Sequence, residues 1–111
     1  MKITQRPVTF KPPKAKPKAK HMAKVAALPC VICHEWGLPQ ESKTQVHHVI
    51  HGRFASRRVP DEMTIPLCEG HHVGNFDTSK IAIHREPAKW ERLYGPDHEW
   101  LSWVEERIEQ G

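Results

Sequence analysis

Residues 63–72 read Met63-Thr-Ile-Pro-Leu-Cys68-Glu-Gly-His71-His72. Met63 to Leu67 has the apolar and β-branched character of a strand. Pro66 cannot donate to a sheet ladder, so it confines that strand to an edge or its end. Cys68 and His71 then form a CxxH pair, the spacing of a metal half-site, and Cys68 to His72 is expected to start a short helix.

The matching half-site lies upstream. Cys30-Val-Ile-Cys33 is a CxxC turn, and with Cys68 and His71 it supplies four soft or borderline ligands, enough for a closed tetrahedral Zn2+ site. A closed site keeps no open position, so this zinc is expected to be structural, stapling the segment before a hairpin to the segment after it. Three cysteines cannot complete a disulfide set, and in a chain without a secretory signature close cysteine pairs read as metal ligands. Pro29-Cys-Val-Ile-Cys33 also matches half of the zinc-deaminase signature, which needs an HxE upstream. The only upstream histidine is His21, and Ala23 stands two residues on, so the deaminase reading fails.

Between the half-sites, Thr44-Gln-Val-His-His-Val-Ile50 reads as the other strand of the hairpin. Neighbouring strand residues point to opposite faces, so His47 and His48 are expected to serve different roles. His72 follows a zinc ligand, which would fix its position. If His47, His72 and His84 converge, they make a three-nitrogen site with open positions, catalytic in form because water and phosphate oxygens can fill it. His48 is then left as a general base. The chain holds nine histidines; His21, His34, His51 and His98 read as surface residues, with His51 near enough to support the site. Residues 51–62 form a basic loop in which Arg53, Arg57 and Arg58 either grip phosphates or stay solvated.

Two helices are expected to close the chain. One spans Pro87 to Tyr94, with proline in its first turn, Trp90, Leu93 and Tyr94 on one face and Gly95 just beyond its end. The other runs from Asp97, a good N-cap, to Gln110, with Trp100, Trp103, Val104, Arg107 and Ile108 at helical spacing. That aromatic stripe reads as core in preference to a base-stacking platform. A shorter helical turn is expected over His21 to Leu28, with Val25 and Leu28 inward and Pro29 ending it.

The net charge of +4 is unevenly spread. The first 24 residues hold eight basic residues and no acid, leaving nine basic against thirteen acidic in the remainder, a formal −4. Residues 1–21, rich in Lys and Pro, cannot bury apolar area and read as a disordered tail, with Lys14, Lys16, Lys18 and Lys20 forming a DNA-binding arm. Residues 22–111 form the domain. At 111 residues the chain has room for one small core, which a metal staple supplements. No apolar run is long enough to span a membrane, and no signal peptide is recognisable, so an intracellular protein is expected. The fold class is α+β: a small zinc-stapled hairpin-and-helix domain with C-terminal helices behind a disordered basic tail.

The order CxxC, a strand bearing His-His, a second strand, then a zinc ligand followed by histidine resembles the HNH, or ββα-metal, nucleases. The segments KVAALPCVIC, VHHV, TIPLCEGHH and AIHREPAKWERLYG are similar to those of phage recombination-enhancement nucleases that cut DNA where RecA has formed a filament. The resemblance covers Ala23 to the C-terminus. It implies that His47, His72 and His84 bind the catalytic cation and that His48 is the general base. The family's usual asparagine should fall near Met63, where none stands; Asp61 or Glu62 is expected to do its work.

The implied chemistry is hydrolysis of a DNA phosphodiester by a bacterial cytoplasmic enzyme of phage origin. His48 takes a proton from water, hydroxide attacks the phosphate, and a divalent cation stabilises the leaving 3′-oxygen. Mg2+ is the ion implied by resemblance, while a nitrogen-rich shell suits Zn2+, Mn2+, Co2+ or Ni2+ better. The implied partners are DNA, with single-stranded or displaced-strand forms admitted, and a RecA filament. One rival is a non-catalytic zinc module that binds DNA or a recombinase through its tail. Another is a structural assembly protein with weak DNA affinity.

Overall fold

The computed structural model of the chain describes residues 17–51 and 59–110. Helix α1 (Pro17–Ala26) and the short helix α2 (Val31–Glu35) precede strands β1 (Thr44–His48) and β2 (Thr64–Cys68). Helix α3 (Glu69–His72), helix α4 (Pro87–Tyr94), a 3-10 turn (Asp97–Trp100) and helix α5 (Leu101–Gln110) follow. The α+β class expected from the sequence is thus present. No helix among the described residues is long and apolar enough to cross a membrane.

The two strands form an antiparallel hairpin in which His47 faces Ile65 and His48 faces Thr64. Pro66 pairs with Val46. A two-stranded sheet has only edges, so a proline nitrogen can point outward there without breaking the ladder. All five residues of β2 are buried, because α1, α2, α3 and α5 all pack against it. A strand covered on both faces loses the apolar–polar alternation of a half-solvated one. Regular pairing in β1 stops at His48, two residues short of the expected Ile50, although the Val49 N–H still donates to the Met63 carbonyl at 3.1 Å.

The core gathers Val25, Val31, Ile32, Val49, Ile65, Leu67, Ile83, Trp90 and Val104 around the three cysteines. Each fully buried aliphatic or aromatic side chain contributes about 1.5–3 kcal/mol. Trp90 and Trp103 are buried as expected of core, whereas Leu93, expected on the same face as Trp90, is 51% exposed. An eight-residue helix offers a narrow inward stripe, and Trp90 and Tyr94, stacked edge-on at 5.2 Å, fill it.

Two boundaries differ from expectation. Helix α1 begins at Pro17, so residues 17–21, expected in the disordered tail, are helical. Proline suits a first turn, Lys and Ala are strong helix formers, and burial of Val25 anchors the helix. The last helix is split: its first turn is a 3-10 turn from Asp97, and no side chain among the described residues caps it. Asp97 is committed elsewhere. Gly95 sits just past α4 with φ of 85°, where its N–H donates to the Glu91 carbonyl at 2.8 Å, as a residue with left-handed freedom should.

Candidate metal centres and active site

Cys30 precedes α2, Cys33 lies within it, Cys68 ends β2 and His71 sits in α3. The hairpin brings these distant pairs together, and all four are buried. Their ligand atoms lie within 4.8 Å of one another. His71 Nδ1 is 3.3 Å from Cys68 Sγ, 3.6 Å from Cys30 Sγ and 3.7 Å from Cys33 Sγ, and the Cys33 and Cys68 sulfurs are 3.8 Å apart. A tetrahedron with Zn–S bonds of about 2.3 Å has edges of about 3.8 Å, so the donor set fits zinc in size as well as in chemistry. The cysteines form no disulfide. A hydrogen bond from Cys30 holds the Cys68 thiol down at about 3, while Cys30 itself is raised by that same bond and by burial, and burial pushes Cys33 up to about 11. A dication bound by the four would displace the thiol protons.

The second group adjoins the first. His47 comes from β1, His72 from the end of α3, and His84 from a segment whose backbone pairs with α3. In that segment the Ile83 N–H donates to the His71 carbonyl at 2.9 Å and the His84 N–H to the His72 carbonyl at 3.0 Å. The His47–His72, His47–His84 and His72–His84 ring centroids are 5.1, 5.2 and 4.9 Å apart, and their ligand atoms lie within 4.8 Å of one another. Exposure is graded: His47 is buried, His72 half-buried and His84 exposed.

The outer hydrogen bonds of these rings show which nitrogens are left to bind. His47 Nε2–H donates to Asp97 Oδ2 at 2.8 Å, while His47 Nδ1 is buried with no hydrogen-bond partner among the described residues. An orphaned lone pair costs roughly 1–3 kcal/mol in a dry site, and a cation would satisfy it. His72 Nδ1–H donates to Gln45 Oε1 at 2.7 Å, leaving Nε2. Burial, then repulsion from His47 and His84, lowers His72 to about 3, and burial, then repulsion from His47, lowers His84. Neutral imidazoles are ligands for Zn2+, Mn2+, Co2+ or Ni2+, and the open side leaves room for oxygen donors.

The sequence gives neither Asp97, read there as an N-cap, nor Gln45 a place in the site. Asp97 is fully buried and also accepts the N–H groups of Ile50 at 2.7 Å and His51 at 3.1 Å. Its own N–H donates to His51 Nδ1 at 3.0 Å, and His51 Nε2–H donates to the Pro87 carbonyl at 3.0 Å. His51 is therefore a buried brace for the site, not a surface residue. Burial pushes the Asp97 carboxyl up, but the bonds from His47, Ile50 and His51 outweigh it and its pKa lies below the ordinary value. Gln45 is two residues before His47 and so shares its strand face, a signal present in the sequence. Asp97 gave none, because its N-cap signature hides a long-range role.

His48 stands apart from the three-nitrogen group. It is half-buried, and its Nε2–H donates to Asp61 Oδ1 at 2.8 Å. The Asp61 carbonyl in turn accepts from Thr64 Oγ1 at 3.0 Å. Asp61 thus orients a histidine from the turn before β2, while Glu62 is exposed. Of the expected DNA contacts, Lys20 is exposed on α1. Lys18 lies in α1 with its side chain outside the described residues, as Lys14, Lys16, Arg53, Arg57 and Arg58 lie outside them altogether.

Two adjoining groups of ligating side chains on one hairpin-and-helix unit define a protein able to hold metal ions. A family model described as recombination enhancement, RecA-dependent nuclease matches residues 13–109, and the chain belongs to that nuclease family. No curated protein and no solved structure gives a significant match.

Proposed function

We propose that the protein is a metal-dependent DNA endonuclease of the HNH, or ββα-metal, type that acts in phage recombination on RecA-coated DNA in the bacterial cytoplasm. The observation that carries this reading is the three-histidine group, whose His47 Nδ1 is buried with no hydrogen-bond partner among the described residues, together with the His48 next to it in sequence that Asp61 orients. Zn2+ held by Cys30, Cys33, Cys68 and His71 keeps the hairpin and α3 in place. A divalent cation held by His47, His72 and His84, Mg2+ or one of the softer ions, supplies charge stabilisation to a phosphate when bound.

The chain's own residues do the rest. Asp61 fixes the His48 ring, and His48 accepts a proton from the attacking water. Hydroxide forms the new P–O bond as the 3′-oxygen leaves. Asp97 and Gln45 hold His47 and His72 in the tautomers that present lone pairs. The basic tail, with Lys14, Lys16, Lys18 and Lys20, and the loop arginines Arg53, Arg57 and Arg58 hold the DNA backbone.

The test is nicking of plasmid and single-stranded DNA under metal titration, comparing wild type with His48→Ala, with and without RecA-coated DNA. Cutting that needs both metal and His48 is expected. Binding without cutting under every condition would replace this reading with that of a non-catalytic zinc module.

A further inference from the structure

Phe76 is 92% exposed, yet the loop beneath it is tightly built. The buried Glu69 carboxylate accepts the N–H groups of Asn75, Phe76 and Asp77 at 2.7, 3.1 and 2.8 Å. Asp77 Oδ1 accepts the Ser79 N–H and hydroxyl, and its Oδ2 accepts Lys80 Nζ at 2.9 Å. A fixed loop that offers a bare phenyl ring to water gains nothing for the fold from that ring.

Phe76 lines a cleft of about 510 Å³ together with Gln45 and Glu41. Gln45 holds His72, so the cleft starts one side chain away from the three-histidine group. Its charged lining is Glu41, Glu69 and Asp77 with Lys43. Lys80 pairs with Glu41 Oε1 at 3.2 Å and Asp77 Oδ2 at 2.9 Å, so the three acids still outnumber the two cations, which disfavours phosphate, and Glu41 accepts a further donor through its other oxygen. The cleft suits the other half of a nucleotide: a flat base whose exocyclic amine a carboxylate accepts and whose face an aromatic ring covers. In a duplex the base faces are already stacked, so such a cleft takes an unpaired base.

We propose that this cleft binds the unpaired base next to the scissile phosphate, with Phe76 as its stacking platform and Glu41 accepting from its amine edge. The substrate assignment rests on the nuclease reading above. The base site itself is tested by binding alone.

The experiment measures affinity of the full-length protein for single-stranded oligonucleotides at raised salt, where tail contributions from counterion release shrink. Wild type, Phe76→Ala and Phe76→Trp are each tested on intact strands and on strands with one abasic site moved along the sequence. Phe76→Ala is expected to bind intact DNA about tenfold more weakly, the size of one base–aromatic stack, and Phe76→Trp to bind as wild type does. One abasic position should weaken wild type by the same factor and Phe76→Ala no further. Equal binding by Phe76→Ala and wild type, no binding of single strands by wild type, or a Phe76→Ala defect that is the same at every abasic position would overturn the site. If this coupling is present but no metal supports cutting, the stacking site stands and the nuclease reading falls.

Discussion

The Cys30–Cys33–Cys68–His71 group and the His47–His72–His84 group share α3, where His71 belongs to one and His72 to the other. They differ in access. The first is buried on every member and rich in sulfur; the second runs from a buried histidine to an exposed one and is all nitrogen. A closed set of four can only hold an ion, whereas an open set of three can also present one to a phosphate. One helical step between His71 and His72 joins the two groups, so under the proposed function a metal held by the first would set the geometry of the second.

The sharpest way to break this contrast is Cys33→Ser. Structural zinc supplies roughly 10–16 kcal/mol of binding free energy in small domains, more than the roughly 5–15 kcal/mol of net stability expected of a domain. The variant is expected to unfold or aggregate, as followed by circular dichroism and zinc content. A soluble, folded, zinc-free Cys33→Ser protein would contradict the staple. His48→Ala should do the opposite, leaving the melting temperature and zinc content nearly unchanged while nicking slows roughly 10²–10⁴-fold. Full activity in that variant would remove His48 as the base.

Asp97→Asn lies between these extremes. It keeps the shape but weakens the grip on His47, so metal affinity at the open site is expected to fall about 10–100-fold. Titration calorimetry with Mn2+ or Zn2+ measures this, and unchanged affinity would reduce Asp97 to a packing role. The smallest effect concerns acid. Hydrogen bonds from Ser79 and Lys80 hold Asp77 at about 2, and those from the backbone N–H groups of Asp77, Phe76 and Asn75 lower Glu69. A depressed carboxylate leaves the unfolded chain binding more protons. Its stabilisation is therefore complete above the ordinary carboxylate range, about pH 4, and is lost as pH falls through the folded value. Denaturant melts from pH 6 to pH 3 should show stability falling below about pH 4, and falling less for Asp77→Asn; an equal fall would show that Asp77 contributes nothing.

What was legible in the sequence was local. CxxC and CxxH announce their ligands by spacing, and Pro87 and Gly95 mark the ends of α4 to the residue. The hairpin strands were visible from their β-branched runs to within two residues. The missing parts depend on distance. Asp97 is 50 residues from the histidine it holds, and its local pattern fits an N-cap equally well. Leu93 was given an inward face that a short helix could not cover. Phe76 lies in a loop seven residues after the Glu69 that fixes it, and nothing local in the sequence reveals that bond.

The most direct test follows fold and cutting together during graded removal of metal. Increasing chelator should first abolish nicking while the circular dichroism spectrum stays native, with Mg2+ or Mn2+ restoring activity; only stronger chelation should then unfold the protein. Loss of fold and activity in a single step, or cutting that persists after the fold has gone, would contradict a closed structural centre beside an open reactive one.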